Sequence, residues 1–132
     1  MPGTGETDLA RLLAGLDPVP HDGEYVFVTL ADRRTPAGAD PVFAFDEDEG
    51  RTLVLPRAQA EESGLTGVFP SAWITLRIHS SLEAVGMLAA VTAALAEAGI
   101  ACNAVSAFYH DHLFVPYDRA RDALAVLRTL AG

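Results

Sequence analysis

Three of the four histidines stand at two points of the sequence where chemistry is possible. His79 ends an alternating apolar run, and His110 and His112 stand on either side of Asp111. Imidazole and carboxylate groups ligate zinc or nickel, and they also serve as general acids and bases. An ordinary polar turn, whose side chains form hydrogen bonds only with the backbone, contains the same residue types. These residues therefore leave a metal site, a ligand site and an ordinary turn open.

Two predicted strands and a helix determine where these histidines lie. Residues 73–79 alternate between apolar and polar types, as in a strand with one buried face. Apolar residues then recur at steps of three and four from Met87, as on a helix that Gly99 ends. A second strand is predicted over 100–108, and after a turn the chain returns over 112–115.

The connection between the two strands brings the histidines together. In a right-handed β-α-β unit both strands run in the same direction, so the chain leaves the first strand and enters the following hairpin at one end of the sheet. The segments 79–81 and 109–112 should therefore be neighbours, beside a helix N-terminus whose free N–H groups favour an anion. The predicted ligand site consists of His79, Ser80, Ser81, Leu82, Glu83, Val85, Gly86, Asn103, Tyr109, His110, Asp111 and His112.

The N-terminal half carries similar elements. A leucine-rich helix is predicted over 8–16, the proline-rich segment 18–23 breaks it, and a strand is predicted over 24–30. Two short apolar runs around the acidic segment 46–49 indicate a hairpin, and a short helix is predicted over 57–63.

The order of the elements predicts an α+β fold built from ferredoxin-like units. Residues 72–131 read β-α-β-β-α, which lacks the last strand of a βαββαβ unit. The helix at 8–16 and the strand at 24–30 repeat the helix-then-strand step that the C-terminus leaves unfinished. We therefore expect two interlocked halves, 1–70 and 71–132, with antiparallel sheets covered by helices.

Composition and charge argue against several classes of protein. The chain of 132 residues is 50% apolar and carries a net charge of −9, which predicts a soluble globular protein. It has no Lys/Arg cluster to bind nucleic acid, no apolar run long enough to span a membrane, and no start typical of a secretory signal. The single cysteine, Cys102, permits neither an internal disulfide nor a cysteine-based zinc site. A cytoplasmic protein is expected.

Motifs typical of enzymes are missing from the sequence. It contains no Walker loop, no G-x-S-x-G elbow, no H-E-x-x-H pair and no G-x-G-x-x-G turn. The histidines, Asp111 and the serines could transfer protons, but nothing in the sequence predicts a deep pocket or an activated nucleophile. We expect neither catalysis nor a cofactor.

The segments 74–88, 98–103 and 109–116 resemble the ACT-domain superfamily. More narrowly, the chain resembles the uncharacterised small stand-alone tandem ACT proteins, which are related in arrangement to the paired ACT domains of aspartate kinases. The resemblance covers nearly the whole chain and is strongest over 72–116. It implies a sensor of small molecules, mostly amino acids.

The resemblance also implies where a ligand lies. In ACT domains the ligand commonly lies on the loop between the first strand and the first helix, at an interface between two domains. The family pattern there is an acid, two residues of which the second is proline, and a glycine that opens the helix. Glu83 and Gly86 match the acid and the glycine, whereas Val85 replaces the proline and the preceding loop is longer. The helix can therefore begin at Ser81 or near Val85, and the ligand's identity stays open.

These observations predict a non-catalytic regulatory or sensing protein that binds a small amino acid or a related metabolite. The N-terminus of the helix after His79 would hold the ligand's carboxylate, assisted by the two serines, and Glu83 or Asp111 would meet its ammonium group. A symmetric homodimer is expected because the edge strands of an incomplete sheet need covering. The alternatives are a divalent-metal protein that uses His79, His110 and His112, and a purely structural interaction module.

Overall fold

The computed structural model describes residues 5–132, which form two compact units. Residues up to Asp22 together with Ala72–Gly132 form the terminal unit, and Gly23–Ser71 form the central unit. The helices are α1 (Leu9–Ala14), α2 (Arg57–Glu62), α3 (Met87–Glu97) and α4 (Ala120–Ala131), with a 3₁₀ turn at Tyr117–Arg119. The strands are β1 (Pro18–Pro20), β2 (Tyr25–Leu30), β3 (Phe43–Glu47), β4 (Gly50–Pro56), β5 (Val68–Leu76), β6 (Asn103–Ser106) and β7 (Asp111–Pro116).

The sheet of the terminal unit has the strand order β1-β5-β7-β6. β1 pairs antiparallel with the end of β5, with Val19 opposite Thr75, and β6 pairs antiparallel with β7. The short β1 therefore supplies the strand that the C-terminal half lacks. The expectation that the strand at 24–30 does so is wrong, because β2 pairs within the central unit. Prolines at 18 and 20 suit a short edge strand, where not every N–H is needed for pairing.

Helices α1, α3 and α4 cover one face of this sheet and form the core of the terminal unit. The predicted alternation along β5 is confirmed, since Ile74 and Leu76 are fully buried in that core. The helices contribute Leu12, Met87, Val91, Leu95, Ala123 and Leu127 to it. Full burial of one leucine or isoleucine side chain stabilises a fold by about 1.5–3 kcal/mol. Because Met87 of α3 and Leu113 of β7 are buried in this core, the core fixes the positions of the loops that precede α3 and β7.

Helix α3 begins at Met87, and the residues before it form a loop. At the predicted start at Ser81, the serine hydroxyl accepts a hydrogen bond from the Glu83 N–H (3.1 Å), and both residues belong to the loop. Gly86 occupies the N-cap position at φ +99°, in a left-handed conformation that costs glycine little. Of the two predicted helix starts, the one near Val85 is therefore confirmed and the one at Ser81 is wrong.

The central unit has the strand order β3-β4-β2-β5, antiparallel throughout, and the helix α2. The predicted acidic hairpin is β3–β4, whose pairing ends at Glu47 opposite Gly50. A loop over 31–42 stands where a ferredoxin-like unit has its first helix. The buried core of this unit consists of Val26, Val28, Leu30, Leu53, Leu55 and Ala60. The mixed α+β fold expected from the sequence is thus confirmed.

No helix within residues 5–132 is long and apolar enough to cross a membrane. Helix α4, for example, has 12 residues, whereas about 20 are needed to span the hydrocarbon core.

Candidate functional site

A pocket of about 160 Å³ opens in the terminal unit between the loop before α3 and the strands β6 and β7. Two hydroxyls and one carboxylate share its wall with apolar side chains, and the lining residues are Ser81, Leu82, Ala84, Met87, Leu88, Ser106 and Asp111. Ser81, Leu82 and Asp111 belong to the ligand site predicted from the sequence. A few polar groups on an otherwise apolar concave surface are typical of small-molecule sites.

Asp111 supplies the buried carboxylate of this pocket. Its carboxylate lies on the helix-covered side of the sheet because Asp111 alternates along β7 with the core residues Leu113 and Val115. The residue is only 6% exposed. Ser106 Oγ donates to Asp111 Oδ1 (2.5 Å), and Ser80 Oγ donates to Oδ2 (3.4 Å). These two hydroxyls offset part of the cost of burying a carboxylate and aim it at the pocket.

The loop that carries Ser80 and Ser81 is held by backbone hydrogen bonds. Glu6 N–H donates to the His79 carbonyl (2.9 Å), and Ser81 N–H donates to the Glu6 carbonyl (3.0 Å). Within the loop, Ala84 N–H donates to the Ser81 carbonyl (3.0 Å). The segment before α1 therefore lies along the loop and fixes the position of the serines.

The two segments that the topology places at one end of the sheet lie together. The rings of His79 and Tyr109 are 5.2 Å apart between centroids, and His110 Nδ1 lies 3.4 Å from the Ile78 carbonyl oxygen. These aromatic rings lie beside the residues that follow β5, and they do not line the pocket.

His112 lies on the opposite face of the sheet from Asp111, because successive strand residues point to opposite sides. Trp73 Nε1 donates to His112 Nδ1 (3.1 Å), and Thr75 Oγ1 lies 3.0 Å from the same nitrogen. His21 stacks on Trp73 with 3.4 Å between ring centroids, and its Nε2 lies 2.7 Å from Thr75 Oγ1. We call His21, Trp73, Thr75 and His112 the imidazole cluster.

Hydrogen bonding and burial favour the neutral form of the two histidines in the imidazole cluster. An indole N–H only donates, so the contact with Trp73 assigns an unprotonated Nδ1 to His112. Burial lowers the pKa of His112, and the charges of His110 and His21 lower it further. Burial also lowers the pKa of His21, and the charge of Arg77 adds to that effect.

The geometry does not support the alternative of a metal site at His79, His110 and His112. Within residues 5–132, no three His, Cys, Asp or Glu side chains lie close enough together to hold a metal ion. The physical reason is that the Nδ1 of His112 is used by Trp73, while that of His110 faces a backbone carbonyl. Cys102 is no ligand or nucleophile candidate either, since burial raises its pKa to about 11.

None of the remaining predicted site residues lines the pocket. Glu83, Asn103 and Tyr109 are exposed, and Val85 is 83% exposed. A Cβ added to Gly86 would meet its nearest neighbour, a Leu9 side chain, at an ordinary 3.5 Å. The glycine is therefore explained by its left-handed backbone and not by a close approach of another chain segment.

Sequence reasoning missed part of the pocket and most of the imidazole cluster. The sequence predicts Met87 and Leu88 only as part of a helix and Ser106 only as part of the strand over 100–108, so it selects none of the three for the ligand site. Pairing the two predicted strands could have identified the serine, because Ser106 lies directly opposite Asp111 and therefore on the same face of the sheet. Nothing in the sequence marked His21, because the neighbouring β1 was not predicted as a strand.

Family comparison agrees with this architecture. The sequence matches models of the ACT domain over residues 4–72 and again over 68–129. This chain belongs to the ACT domain family. ACT domains are regulatory domains that bind small molecules, and a role of that general kind follows for this protein. The predicted resemblance is therefore confirmed.

Solved structures share the tandem ACT fold. A Vibrio cholerae protein of unknown function, described as a possible transport protein, is 38% identical with a TM-score of 0.83, over 94% of this chain and 96% of that one. An Agrobacterium tumefaciens protein is 21% identical with a TM-score of 0.61, over 83% and 84%. The regulatory subunit of aspartate kinase from Thermus flavus is 10% identical with a TM-score of 0.62, over 87% and 97%. No curated protein matches the sequence.

Proposed function

We propose that this chain is a non-catalytic, cytoplasmic regulatory protein that binds a small amino acid or a related metabolite in the pocket at Asp111. The observation that carries the proposal is a buried carboxylate, held by two hydroxyls, in the wall of a cavity. The ligand's ammonium group would meet this carboxylate through charge-assisted hydrogen bonds. Its side chain would contact Met87 and Leu88, which line the same cavity.

Asp111 is a better partner for the ammonium group than Glu83, the other candidate from the sequence. Glu83 is exposed and does not line the pocket, so water competes for any ion pair that it forms. A charge-assisted bond to the buried Asp111 is screened less. The ligand's carboxylate would face the loop of Ser80 and Ser81.

A thermal-shift screen of the free amino acids and of divalent metal ions tests this function. A ligand at 100 times its Kd stabilises the native state by about 2.7 kcal/mol, so at least one amino acid should raise Tm. Asp111→Asn should abolish that shift, whereas Asp118→Asn, which removes an exposed carboxylate in the 3₁₀ turn, should retain it. A screen in which only metal ions raise Tm would favour the metal alternative, and a screen without any shift would contradict both.

We further propose that the protein is a symmetric homodimer. Support comes from β6, which ends the strand order of the terminal unit, and from the exposed Phe108 and Tyr109 that follow it. An edge strand beside exposed aromatic rings is a surface that folded proteins usually cover. Sedimentation should therefore give the mass of a dimer, and a stable monomer at micromolar concentration would contradict this proposal.

A further inference from the structure

A second cavity, of about 280 Å³, lies wholly within the central unit, between β2, α2 and the segment 65–70. We call it the central pocket. Its floor is apolar and buried, since Val26 is 3% exposed and Ala60 1% exposed. Leu65 and Pro70 extend the apolar wall. The rim is polar and exposed, and it consists of Arg57, Glu61 and Thr66.

Arg57 has donor capacity left for a ligand. Its Nη1 donates to Glu24 Oε2 (2.7 Å), and its Nε donates to Glu61 Oε1 (3.2 Å). These two ion pairs hold the guanidinium at the rim, whereas its Nη2 forms no hydrogen bond within residues 5–132. A guanidinium carries five N–H donors and matches the geometry of a carboxylate. Because Glu61 Oε2 also forms no hydrogen bond among the described residues, a free donor and a free acceptor lie one helical turn apart.

The segment 65–67 provides further donors. In the described part of the chain, the N–H groups of Thr66 and Gly67 and the Thr66 hydroxyl form no hydrogen bond. The segment is held in place by the Leu65 N–H, which donates to the Ala60 carbonyl (2.8 Å). A Cβ on Gly67 would collide with the side chain of Val26, so the glycine lets this wall pack directly on the floor. Unpaired amides are thus fixed on residues that line the central pocket.

The backbone that follows this segment is strained. Phe69 has φ +54°, in the left-handed region that a bulky side chain rarely adopts. The pairing of β2 with β5 also shifts register between Tyr25 and Phe27. The Ser71 hydroxyl donates to the Phe69 carbonyl and stabilises the irregular backbone. Strained residues and shifts in strand register occur preferentially beside functional sites.

The charges at the central pocket favour a zwitterion. A ligand with only a carboxylate would meet Arg57 but also the acids Glu24 and Glu61, and a ligand with only an ammonium group would meet Glu61 but also the guanidinium. An α-amino acid carries both groups and can use the free donor and the free acceptor together. The volume of 280 Å³ corresponds to about nine water molecules, which leaves room for a branched or aromatic side chain on the apolar floor.

We propose that the central pocket is a second ligand site, which binds an apolar amino acid of about the size of leucine. Arg57 and the amides of Thr66 and Gly67 bind the ligand's carboxylate, and Glu61 binds its ammonium group. This site goes beyond the proposed function, which concerns the smaller pocket at Asp111 in the terminal unit. The chain would then bind two amino acids of different size.

Amide NMR spectra of the unmodified protein, titrated with L-leucine, locate the site. The signals of Thr66 and Gly67 should shift, because their N–H groups gain an acceptor, and the signal of Gly38, which does not line the central pocket, should not. Shifts confined to 81–88 would place leucine in the pocket at Asp111, so this inference would fail and the proposed function would stand. A spectrum without any shift would also overturn this inference.

Calorimetry on variants measures the contribution of Arg57. Arg57→Gln should weaken leucine binding about three- to tenfold, a modest loss because the guanidinium is half-exposed. Arg121→Gln, which removes an exposed arginine of α4, and Asp111→Asn should leave leucine binding unchanged. Urea denaturation shows whether each variant is folded. Unchanged affinity in a folded Arg57→Gln protein, or loss of leucine binding only in Asp111→Asn, would contradict the second site.

Two analogues of leucine test recognition of the zwitterion. N-acetyl-L-leucine lacks the ammonium group, and 3-methylbutylamine lacks the carboxylate. Each should bind the unmodified protein about tenfold more weakly than L-leucine, because each leaves one charged partner at the rim unused. An analogue that binds as tightly as L-leucine would refute the assigned role of Glu61 or of Arg57, respectively. Binding of L-alanine that depends on Asp111 tests the proposed function separately.

Discussion

Acidification should destabilise the terminal unit through His112. The pKa of this histidine is lowered from 6.5 in the folded protein, first by burial and then by the charges of His110 and His21, while Asp111 acts in the opposite direction. The unfolded chain therefore binds the proton first as the pH falls. The stability that the neutral imidazole contributes is complete above about pH 6.5 and is lost as the pH falls from there through the lower folded pKa.

The size of this effect follows from the hydrogen bond that protonation removes. His112 Nδ1 accepts from Trp73 Nε1 at 3.1 Å, and a proton on Nδ1 breaks that bond. A net hydrogen bond contributes about 0.5–1.5 kcal/mol, and water replaces part of it because both rings are only partly buried. We therefore expect up to about 1 kcal/mol to be lost as the pH falls through the folded pKa of His112, in addition to the losses common to all carboxylates.

Urea denaturation at several pH values can measure this loss with a built-in reporter, since Trp73 is the sole tryptophan of the chain. In His112→Gln the amide oxygen can accept the indole N–H but does not titrate, so the free energy of unfolding should fall less with acid. His79→Gln removes a histidine outside the imidazole cluster and serves as the control. His21 is present in all three proteins, so its own titration cancels to first order. Equal pH dependence in His112→Gln and the unmodified protein would refute this reasoning.

Two glycines give further predictions. Gly86→Ala should lower the free energy of unfolding by about 1–2 kcal/mol, because it places a Cβ at φ +99°. Urea denaturation should show a much smaller change for the control Val85→Ala. A Gly86→Ala protein as stable as the unmodified protein would contradict the predicted backbone strain. Gly5→Val should displace the segment beside Ser81 and speed hydrogen exchange of the Ser81 amide. The control is Gly38→Ala, which is also at positive φ but has no heavy atom within 4 Å of the added Cβ. If the Ser81 amide exchanges at the same rate in Gly5→Val as in the unmodified protein, the contact between Gly5 and Ser81 is dispensable.

Much of the terminal unit could be predicted because its elements are long and periodic. Residues around Ile74 and Leu76 alternate over a full strand, and the pattern from Met87 continues for three helical turns to Gly99. β1 could not be predicted in this way, because it has three residues, two of them proline, and depends on pairing with residues more than 50 positions away. A short run has no measurable period, and its structure is decided by the strand that it meets.

The candidate site was only partly accessible from the sequence, for a reason of geometry. Topology alone places the segment after β5 beside the hairpin of β6 and β7, and this was sufficient to select Asp111 and Ser81. It does not determine which face each hairpin residue occupies, so His112 was grouped with Asp111 although the two point to opposite sides of the sheet. A shift of one residue in the predicted turn reverses every such assignment.

Residues 5–22 complete both the sheet and the site loop of the terminal unit. β1 covers the edge of β5 at Ile74–Leu76, and Glu6 exchanges backbone hydrogen bonds with His79 and Ser81. The family matches divide the sequence near residue 70, whereas the compact terminal unit takes residues from both sides of that division. A fragment that began at residue 72 would expose the β5 edge and leave the Ser81 N–H without Glu6. Ligand binding at Asp111 is therefore expected to depend on the N-terminal segment, although that segment lies in the other half of the sequence.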